Sequence, residues 1–288
     1  MPEIAAILVD YNAGDELVHA LRSIATDLAG RSWEGVVVDN ASEDTSAAAG
    51  VAAFAPAVRR IRNARNVGFG TAVNQGIAAT TAPLILIINP DAHLEPGAVA
   101  ALEAVLARHD DCALVGPRIL NPNGSVQGSA RGDPDMLTGL FGRRQLLTRW
   151  LPWLPVAKRN VIDPASLPAG ESHPVDWLSG ACLLGRRQAL ERVGGFDERY
   201  FLYWEDADLC RRLRNEGLHV RYVPAATAVH RVGHSSRTAQ AASIRAFHVS
   251  ARLYYETHVA PGRWNPLRVL ARLLLALRQW WQLRRLAS

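Results

Sequence analysis

The first 118 residues alternate short apolar runs with amphipathic segments, and this alternation limits the possible folds more than any other feature. The apolar runs are IAAILVD, GVVVDN, PLILIINPD and CALVGPRI. Between the first two, Leu17, Ala20, Leu21 and Ile24 recur at the spacing of one helical face. Strands that are apolar along their whole length are typical of a parallel sheet covered on both faces. The sequence therefore predicts an α/β fold with a mostly parallel central sheet covered by helices.

The remaining sequence predicts a second half of the same domain, followed by a helical tail. The segment VDWLSGACLLGRRQALERVGGFD predicts a strand, a short helix and a Gly-Gly turn, and HVRYVP and ATAVHRV predict two further strands. Two helical patterns close the chain, around residues 241–258 and 266–286. We therefore expect residues 1–118 and 119–238 to form the two halves of one domain, and residues 239–288 to form C-terminal helices.

Composition and charge argue against several classes of protein. The cysteines (Cys112, Cys182 and Cys210) are few and widely spaced, as in the reducing cytoplasm, and predict no disulfide framework. The start MPEIAAILVDYN lacks a basic region and a cleavage site, so we do not expect a secretory signal. Residues 263–288 hold six arginines and no acid, whereas the rest has 26 basic and 27 acidic residues. Because the basic character is confined to the tail, we expect no nucleic-acid partner.

Three aspartates, Asp10, Asp39 and Asp91, follow three of the apolar runs. Ligands of parallel α/β sheets bind at the carboxyl ends of the strands, where these residues are expected. Any one of them could instead cap a helix or form a turn. Asp39 could accept a hydrogen bond from the imide N–H of uracil or thymine, and Tyr11 could stack on the base. The sequence contains neither GxGxxG nor GxxxxGK[ST], which argues against dinucleotide-binding and P-loop sites.

Asp91 follows the most apolar strand, in IINPDAHL. A carboxylate at this point could bind Mg²⁺ or Mn²⁺ together with a diphosphate, or could simply form a turn behind Pro90. His230, in AVHRVGHS, follows a predicted strand and could supply a second ligand. A lone histidine at a strand end is more often structural, and the nearby His234 leaves the assignment open.

An acidic cluster behind aromatic residues is the second sign of a catalytic site. In YFLYWEDADLCRRLRNEG, Glu205, Asp206 and Asp208 follow Tyr203 and Trp204. Acids in a first turn favour the N-terminus of a helix, and this alone explains one or two of them. That explanation does not account for three acids beside an aromatic wall. A carboxylate in such a partly desolvated pocket could act as a general base, because desolvation raises the pKa of a carboxyl group.

The order of these motifs resembles the family-2 inverting glycosyltransferases with a GT-A fold, and most of all their rhamnosyltransferase branch. The motifs are VDYN, VVVDNASED, N-x-GFG-x-A-x-N-x-G, LIINPDA and WLSGACLLGRRQAL-x-x-VGGFDERYFLYWEDADLCRRL, and GSVQGSARGDP also fits the branch. The resemblance spans roughly residues 4–235 and is most specific over residues 175–209. It implies transfer of L-rhamnose from dTDP-rhamnose onto a lipid-linked glycan acceptor, such as N-acetylglucosaminyl-diphosphoryl-polyprenol, in cell-wall or polysaccharide assembly. Residues 1–118 would bind the nucleotide sugar, and residues 119–238 would bind the acceptor.

The resemblance also implies roles for individual residues. Asp206 would be the catalytic base, with Glu205 supporting it. A divalent metal, Mg²⁺ or Mn²⁺, would be bound by Asp91 and His230, although Asn89 replaces the first acid of the usual DxD motif. The remaining roles are binding of the nucleotide sugar (Asp10, Tyr11, Asp39, Arg65, Asn66 and Asn89) and of the acceptor (Trp177, Ser179, Gly180 and Trp204).

The tail NPLRVLARLLLALRQWWQLRRL predicts a basic amphipathic helix. One helical stripe carries Leu267, Leu270, Leu274, Leu277 and Trp281, with arginines interspersed. Such a helix could pack on the protein's own core, or it could lie on an anionic membrane surface. Its longest apolar run is far below the ~20 residues needed to span a bilayer. A lipid-linked acceptor favours the membrane, so we expect a cytoplasmic protein, peripheral on the inner face of the plasma membrane.

Three other hypotheses are weighed against this one. A UDP-sugar such as UDP-galactofuranose could replace dTDP-rhamnose, because no residue above selects the sugar. A non-catalytic nucleotide-sugar-binding module would bind the donor but would be indifferent to Asp206→Asn. A nucleotidyltransferase is disfavoured, because VDYNAGDEL lacks the Gly-rich, Lys/Arg-bearing loop expected after its first strand.

Overall fold

The structure is a computed structural model that describes residues 1–134, 171–231 and 240–287. Within these residues, nine strands form one central sheet, and two more form a small ribbon (β7 with β9). In chain order the strands are β1 (Ile4–Asp10), β2 (Trp33–Asp39), β3 (Val58–Arg62), β4 (Leu84–Ile88), β5 (Ala92–Leu94), β6 (Cys112–Leu120), β7 (Ala130–Arg131), β8 (His173–Pro174), β9 (Trp177–Leu178), β10 (Cys182–Arg186) and β11 (His219–His230).

The strand order of the main sheet is β3-β2-β1-β4-β10-β6-β11-β5, with β8 paired to β11. Six of the nine strands run in one direction, and β5, β8 and β10 run against them. The prediction of an α/β fold with a mostly parallel sheet is therefore confirmed. Because β10 lies between β4 and β6, residues on both sides of position 118 share one sheet. The segment boundaries at 118 and 238 stay predictions.

Helices cover both faces of the sheet, as the apolar strands require. They are α1 (Asp15–Asp27), α2 (Ser46–Ala53), α3 (Phe69–Ala78), α4 (Ala98–Arg108), α5 (Arg187–Arg192), α6 (Glu205–Asn215), α7 (Gln240–Tyr254) and α8 (Pro266–Ala287). Alternate residues of β1 point to opposite faces, so Ile4 and Leu8 pack with α1 and α4, whereas Ile7 packs with α3 and α6. Both faces of β1 are therefore core.

The chain from His219 to His230 is one strand, whereas the sequence predicted two. Pro224 has no backbone N–H to donate, and the register against β6 shifts between Val223 and Thr227. Pairing with β6 continues on both sides of this irregularity, so the segment stays extended. The segment VDWLSGACLLG, predicted as one strand, forms two strands, β9 and β10. The sequence also did not predict α2, β3, β5, β7 and β8.

The two predicted C-terminal helices are confirmed. After α7 a π-helical turn (Tyr255–Val259) leads to α8, and Glu256 in that turn contacts Arg252, Arg268 and Arg272 at 3.0, 2.6 and 2.6 Å. These guanidinium groups lower the pKa of Glu256 to about 2. The turn therefore fixes the start of α8 against α7. Several large apolar side chains of α8 are exposed, which are Leu267, Val269, Leu270, Leu273, Leu277, Trp280, Trp281 and Leu286.

Candidate active site

Asp10 and Asp39 end the neighbouring strands β1 and β2 in register, and both side chains are buried. Asp10 accepts hydrogen bonds from the Ser42 hydroxyl at 3.0 Å and from the Ala13 N–H at 3.2 Å. Burial raises the pKa of Asp10, although these two hydrogen bonds oppose the rise. Asp39 accepts a hydrogen bond from the Ser42 N–H at 2.8 Å, and its Oδ2 lies 3.0 Å from an Arg60 guanidinium nitrogen. Both acids therefore hold the loops that follow their strands.

Asn66 lies in the turn that leads into α3. Its Oδ1 accepts hydrogen bonds from the Asn40 amide at 2.9 Å and from the Gly68 N–H at 3.0 Å. Gly68 has a φ of 92°, and a Cβ there would lie 2.6 Å from the Phe201 carbonyl oxygen, so the position needs glycine. The Phe69 N–H donates to that same carbonyl at 2.9 Å. The turn is thereby fixed against the loop that precedes the acidic cluster.

A cavity of about 470 Å³ lies between the carboxyl ends of β1 and β4, the turn before α3, residues 201–203 and α7. Its size is that of a small-molecule site. The predicted residues Tyr11, Asn66, Asn89, Asp91 and His230 all line it, and Tyr11 is 40% exposed. Asp10 and Asp39, whose carboxylates are buried, do not line the cavity. Arg65, the remaining residue predicted to bind the nucleotide sugar, is exposed outside the cavity.

Several residues of the cavity wall were not indicated by the sequence. Phe69 and Phe201 come from the two loops that meet at Gly68, and Ala242 and Ser243 come from α7. An Ala-rich first turn of α7 carries no chemical signal of its own, so a pattern-based search could not have found it.

Asp91 and His230, the predicted metal ligands, lie next to each other. Asp91 Oδ1 is 3.2 Å from His230 Nε2, and Asn89 Nδ2 is 3.4 Å from the same nitrogen. They meet because β5 pairs antiparallel with the end of β11, with Ala92 opposite His230. His234, the other histidine of AVHRVGHS, lies outside the described residues.

The chemistry of this pair fits a divalent cation. Neighbouring ligands at about 2.1 Å from an octahedral Mg²⁺ lie about 3.0 Å apart, close to the separation seen here. Within the described residues, no group of three or more His, Cys, Asp or Glu side chains could hold a metal ion. The other coordination positions would therefore be filled by diphosphate oxygens and water, as is usual for Mg²⁺.

Asp206 lies in the first turn of α6, against the loop after β9. Its Oδ2 accepts a hydrogen bond from the Gly180 N–H at 2.8 Å, and its Oδ1 accepts one from the Ala207 N–H at 2.8 Å. Burial raises the pKa of Asp206, outweighing these two N–H groups and the Arg131 charge, which lower it. A Cβ on Gly180 would lie 3.6 Å from Asp206 Oδ2 and 3.8 Å from Phe69 Cε1. Asp206 and the cavity residue Phe69 are therefore both neighbours of Gly180, although Asp206 itself does not line the cavity.

Glu205 is buried beside Asp206, and its Oε2 has no hydrogen-bond partner among the described residues. Burial, and after it the charge of Asp206, raises the pKa of Glu205 well above its ordinary value. Asp206 has two backbone donors and a nearby arginine, whereas Glu205 has only a hydrogen bond with its own backbone to lower its pKa. These partners favour the ionised form of Asp206 over that of Glu205.

An aromatic wall stands beside the two acids. The rings of Trp177 and Trp204 stack at 6.1 Å, and Trp204 also packs on Tyr254 at 5.2 Å. The Arg131 guanidinium lies 4.6 Å from the centre of the Trp177 ring. Ser179, the residue before Gly180 in the sequence, is half-buried. The predicted acceptor residues are thus gathered around Asp206.

The two residues before α6 have an unusual backbone conformation. Tyr203 and Trp204 have φ values of 67° and 72°, a region that bulky side chains rarely adopt. Trp204 nevertheless starts the helix, because its carbonyl accepts a hydrogen bond from the Asp208 N–H at 2.9 Å. Strain of this kind is typical of functional sites, and here it turns the chain between the cavity and the acids.

Two solved glycosyltransferase structures share this fold. GalNAc-T7, crystallised with UDP, GalNAc and Mn²⁺, matches with a TM-score of 0.64 at 16% sequence identity, over 88% of this chain and 48% of that chain. The mannosyltransferase PcManGT from Pyrobaculum calidifontis, in complex with GDP-Man and Mn²⁺, matches with a TM-score of 0.59 at 18% identity, over 97% and 71% of the two chains. At these identities the likeness establishes the fold, that of the GT-A glycosyltransferases.

Sequence comparison gives the family. The model for glycosyl transferase family 2 matches residues 6–162, and that for glycosyl transferase family group 2 matches residues 166–279. The N-acetylglucosaminyl-diphospho-decaprenol L-rhamnosyltransferase of Mycobacterium tuberculosis is 35% identical over an alignment of 292 positions, which covers 96% of this chain and 91% of the relative. The chain therefore belongs to glycosyltransferase family 2 and is a glycosyltransferase with a GT-A fold.

Proposed function

We propose that the protein is an inverting rhamnosyltransferase, which moves L-rhamnose from dTDP-rhamnose onto N-acetylglucosaminyl-diphosphoryl-polyprenol during cell-wall or polysaccharide assembly. The observation that carries the proposal is the cavity, which is lined by the Asp91–His230 pair and by Phe69, a residue that shares Gly180 as a neighbour with Asp206. The name of the Mycobacterium tuberculosis relative, which aligns over nearly the whole chain, supports the choice of donor and acceptor.

The donor nucleotide would lie at the strand ends. Tyr11 presents a half-exposed ring to the cavity and is suited to stack on the base. The Asn66 and Asn89 amides line the same space, where they can meet the ribose and the phosphates. Asp10 and Asp39 would hold the base-binding loops in place. Arg65 is the last residue of the proposed donor site. It is exposed, and its guanidinium would bind the donor's phosphates.

Asp91 and His230 would hold a Mg²⁺ or Mn²⁺ ion. When bound, the ion would act as a Lewis acid that stabilises the negative charge of the departing diphosphate. The Asn89 amide, which lies beside the pair, would donate a hydrogen bond to a phosphate oxygen. This explains why an asparagine can stand where the DxD motif has its first acid.

Asp206 would act as the general base. It removes the proton from the acceptor hydroxyl while that oxygen forms a bond to the anomeric carbon of the donor. The bond between this carbon and the diphosphate oxygen breaks, and dTDP leaves with the bonding electrons. Attack from the face opposite the leaving group inverts the carbon in one displacement, without a glycosyl-enzyme intermediate. Glu205 would keep its proton, so that Asp206 is the carboxyl group that ionises and acts as the base.

The acceptor sugar would lie against the aromatic wall. Trp177 and Trp204 form a stacked, half-buried aromatic surface beside Asp206, and the half-buried Ser179 can hydrogen-bond a sugar hydroxyl. Gly180 lies next to the base, since a Cβ there would be in ordinary van der Waals contact with Asp206 at 3.6 Å. We propose these four residues as the acceptor site.

The lipid portion of the acceptor would reach the protein from a membrane. We propose that α8 lies on the inner face of the plasma membrane, because several of its exposed side chains are apolar and the tail carries arginines without any acid. Trp280 and Trp281 are exposed, with Arg284 and Arg285 stacked on them at 4.5 and 3.6 Å. Among the described residues, no helix is long and apolar enough to cross a membrane, so the proposed contact is peripheral.

A transfer assay tests the proposal. The purified protein would be incubated with a short-chain N-acetylglucosaminyl-diphosphoryl-polyprenol, Mg²⁺ or Mn²⁺, and either dTDP-rhamnose or UDP-galactofuranose. Transfer from dTDP-rhamnose, with the opposite anomeric configuration in the product by NMR, is the expected result. Transfer from UDP-galactofuranose alone would replace the proposed donor. Donor binding without transfer, unchanged in Asp206→Asn, would identify a binding module instead.

A further inference from the structure

Gln127 contacts His230 through both ends of its side-chain amide. Its Oε1 lies 3.2 Å from His230 Nδ1, and its Nε2 donates a hydrogen bond of 2.7 Å to the His230 carbonyl oxygen. The same Nε2 lies 2.9 Å from Asn121 Oδ1. Gln127 belongs to the motif GSVQGSARGDP, and the proposed mechanism assigns it no role.

These contacts fix which atom of the amide faces the imidazole ring. If the Gln127 amide were flipped, its oxygen would face two other oxygens, those of the His230 carbonyl and the Asn121 side chain. The Asn121 amide is itself oriented, because its Nδ2 lies 2.8 Å from the Ser125 hydroxyl and 3.3 Å from the Ser125 carbonyl oxygen. Gln127 Oε1 is therefore the atom next to Nδ1, and an oxygen there requires a proton on Nδ1.

A neutral His230 with its proton on Nδ1 has a lone pair on Nε2. That nitrogen lies 3.2 Å from Asp91 Oδ1, and two acceptors so close repel each other unless a cation or a proton lies between them. We propose that Gln127 is a positioning residue, which selects the His230 tautomer whose Nε2 binds the divalent cation together with Asp91. A partner on the second nitrogen is the usual way in which proteins orient a histidine ligand. The inference rests on the proposed metal site and adds a residue to it.

The test compares Gln127→Met, which has a similar length but cannot accept a hydrogen bond, with Gln127→Glu, whose carboxylate still accepts one from Nδ1. Gln188→Met, on the exposed face of α5, controls for the substitution itself. Mn²⁺ binding in the presence of dTDP is measured by electron paramagnetic resonance. We expect the Mn²⁺ dissociation constant to rise about 10–100-fold in Gln127→Met, to recover in part in Gln127→Glu and to stay unchanged in the control.

A second measurement reads the tautomer directly. Long-range ¹H–¹⁵N correlation spectra of the metal-free protein, recorded at alkaline pH, should show the His230 proton on Nδ1 in the wild type and a loss of this preference in Gln127→Met. A proton on Nε2 in the wild type, or equal Mn²⁺ affinity of Gln127→Met and wild type, would overturn the proposal. If the wild type binds no Mn²⁺, the proposed metal site fails, and the tautomer spectra alone decide the role of Gln127.

Discussion

His258 Nε2 lies 2.7 Å from Asp208 Oδ1, so the π-helical turn after α7 is joined directly to the helix that carries Asp206. The other oxygen of Asp208 contacts Arg212 at 2.7 Å, and Asp208 is buried, whereas the side chain of His258 is 9% exposed. The third acid of the cluster is therefore occupied by two partners and holds the C-terminal segment in place. Its role differs from that of Asp206, whose partners are backbone N–H groups beside the cavity.

Replacement of His258 should destabilise the protein more than replacement of an exposed histidine in a similar pair. His258→Ala leaves a buried carboxylate without one of its partners, at a cost of about 2 kcal/mol. We expect Tm to fall by roughly 4–8 °C, at 2–4 °C per kcal/mol. The matched control is His219→Ala, because His219 contacts Asp111 at 3.4 Å on the surface and such pairs contribute little. Equal losses of Tm in the two variants would contradict a structural role for the Asp208–His258 contact.

Glu205→Gln should stabilise the protein, increasingly so as the pH rises. The raised pKa of Glu205 means that the folded protein binds this proton more tightly than the unfolded chain does. The free energy of unfolding of the wild type therefore falls as the pH rises above about 4.5, the ordinary pKa, towards the folded value. Because the side chain in Glu205→Gln cannot ionise, the free energy of unfolding of this variant lacks that pH dependence.

The measurement for Glu205 is Tm between acidic and mildly alkaline pH. The difference between Glu205→Gln and wild type should be small at acidic pH and should grow as the pH increases. Glu191→Gln, on the surface of α5, is the control and should show no such trend. A Tm difference that does not change with pH would mean that Glu205 has the same pKa in the folded and unfolded states.

Asp206→Asn should remove transfer without removing donor binding. The loss of a general base reduces kcat by about 10²–10⁴-fold, whereas Asp206 does not line the cavity proposed for the nucleotide, so that cavity keeps its residues. In the wild type, kcat should fall as the pH drops through the raised pKa of Asp206, because the protonated acid cannot accept the acceptor's proton. Steady-state rates and a dTDP titration check both halves of this prediction. An active Asp206→Asn variant would remove Asp206 from the mechanism.

The sequence predicted the elements that have a strong periodic signal. The wholly apolar strands β1, β2, β4 and β6 and the amphipathic α1 are found close to where the patterns indicated. Strand β3 was not predicted, because VRRIR carries three arginines and lies at the edge of the sheet. The helix α2 was not predicted either, since SAAAGVAA has no polar face and hence no period.

The site was predictable where a residue follows a strand and unpredictable where the fold brings distant loops together. Asp91 and His230 were predicted together from their positions after strands and from the resemblance, and the pairing of β5 with β11 gives the physical reason why they meet. Gln127 reaches His230 through an irregular loop, and a single sequence offers no signal for that contact. The strand-end position of Asp10 predicted a ligand, whereas its partners are Ser42 and the Ala13 N–H. The position was predictable from the pattern, but the partners were not.

The exposed face of α8 should bind anionic membranes through both its leucines and its arginines. Leu273 and Leu277 are 65% and 63% exposed, and burying each in the interface contributes about 1.5–3 kcal/mol. We therefore expect Leu273→Ser/Leu277→Ser to weaken partitioning into phosphatidylglycerol-containing vesicles by at least about 100-fold. Arg284→Gln/Arg285→Gln should weaken it by about 30-fold at low salt, at about 1 kcal/mol per charge.

The matched control is Val249→Ser, because Val249 is 64% exposed but lies on α7. Vesicle co-sedimentation, with pure phosphatidylcholine vesicles alongside, measures all of these. Equal binding to neutral and anionic vesicles, or an equal loss in Val249→Ser, would contradict the role of α8, and the helix would then be a surface element whose apolar face binds something other than lipid.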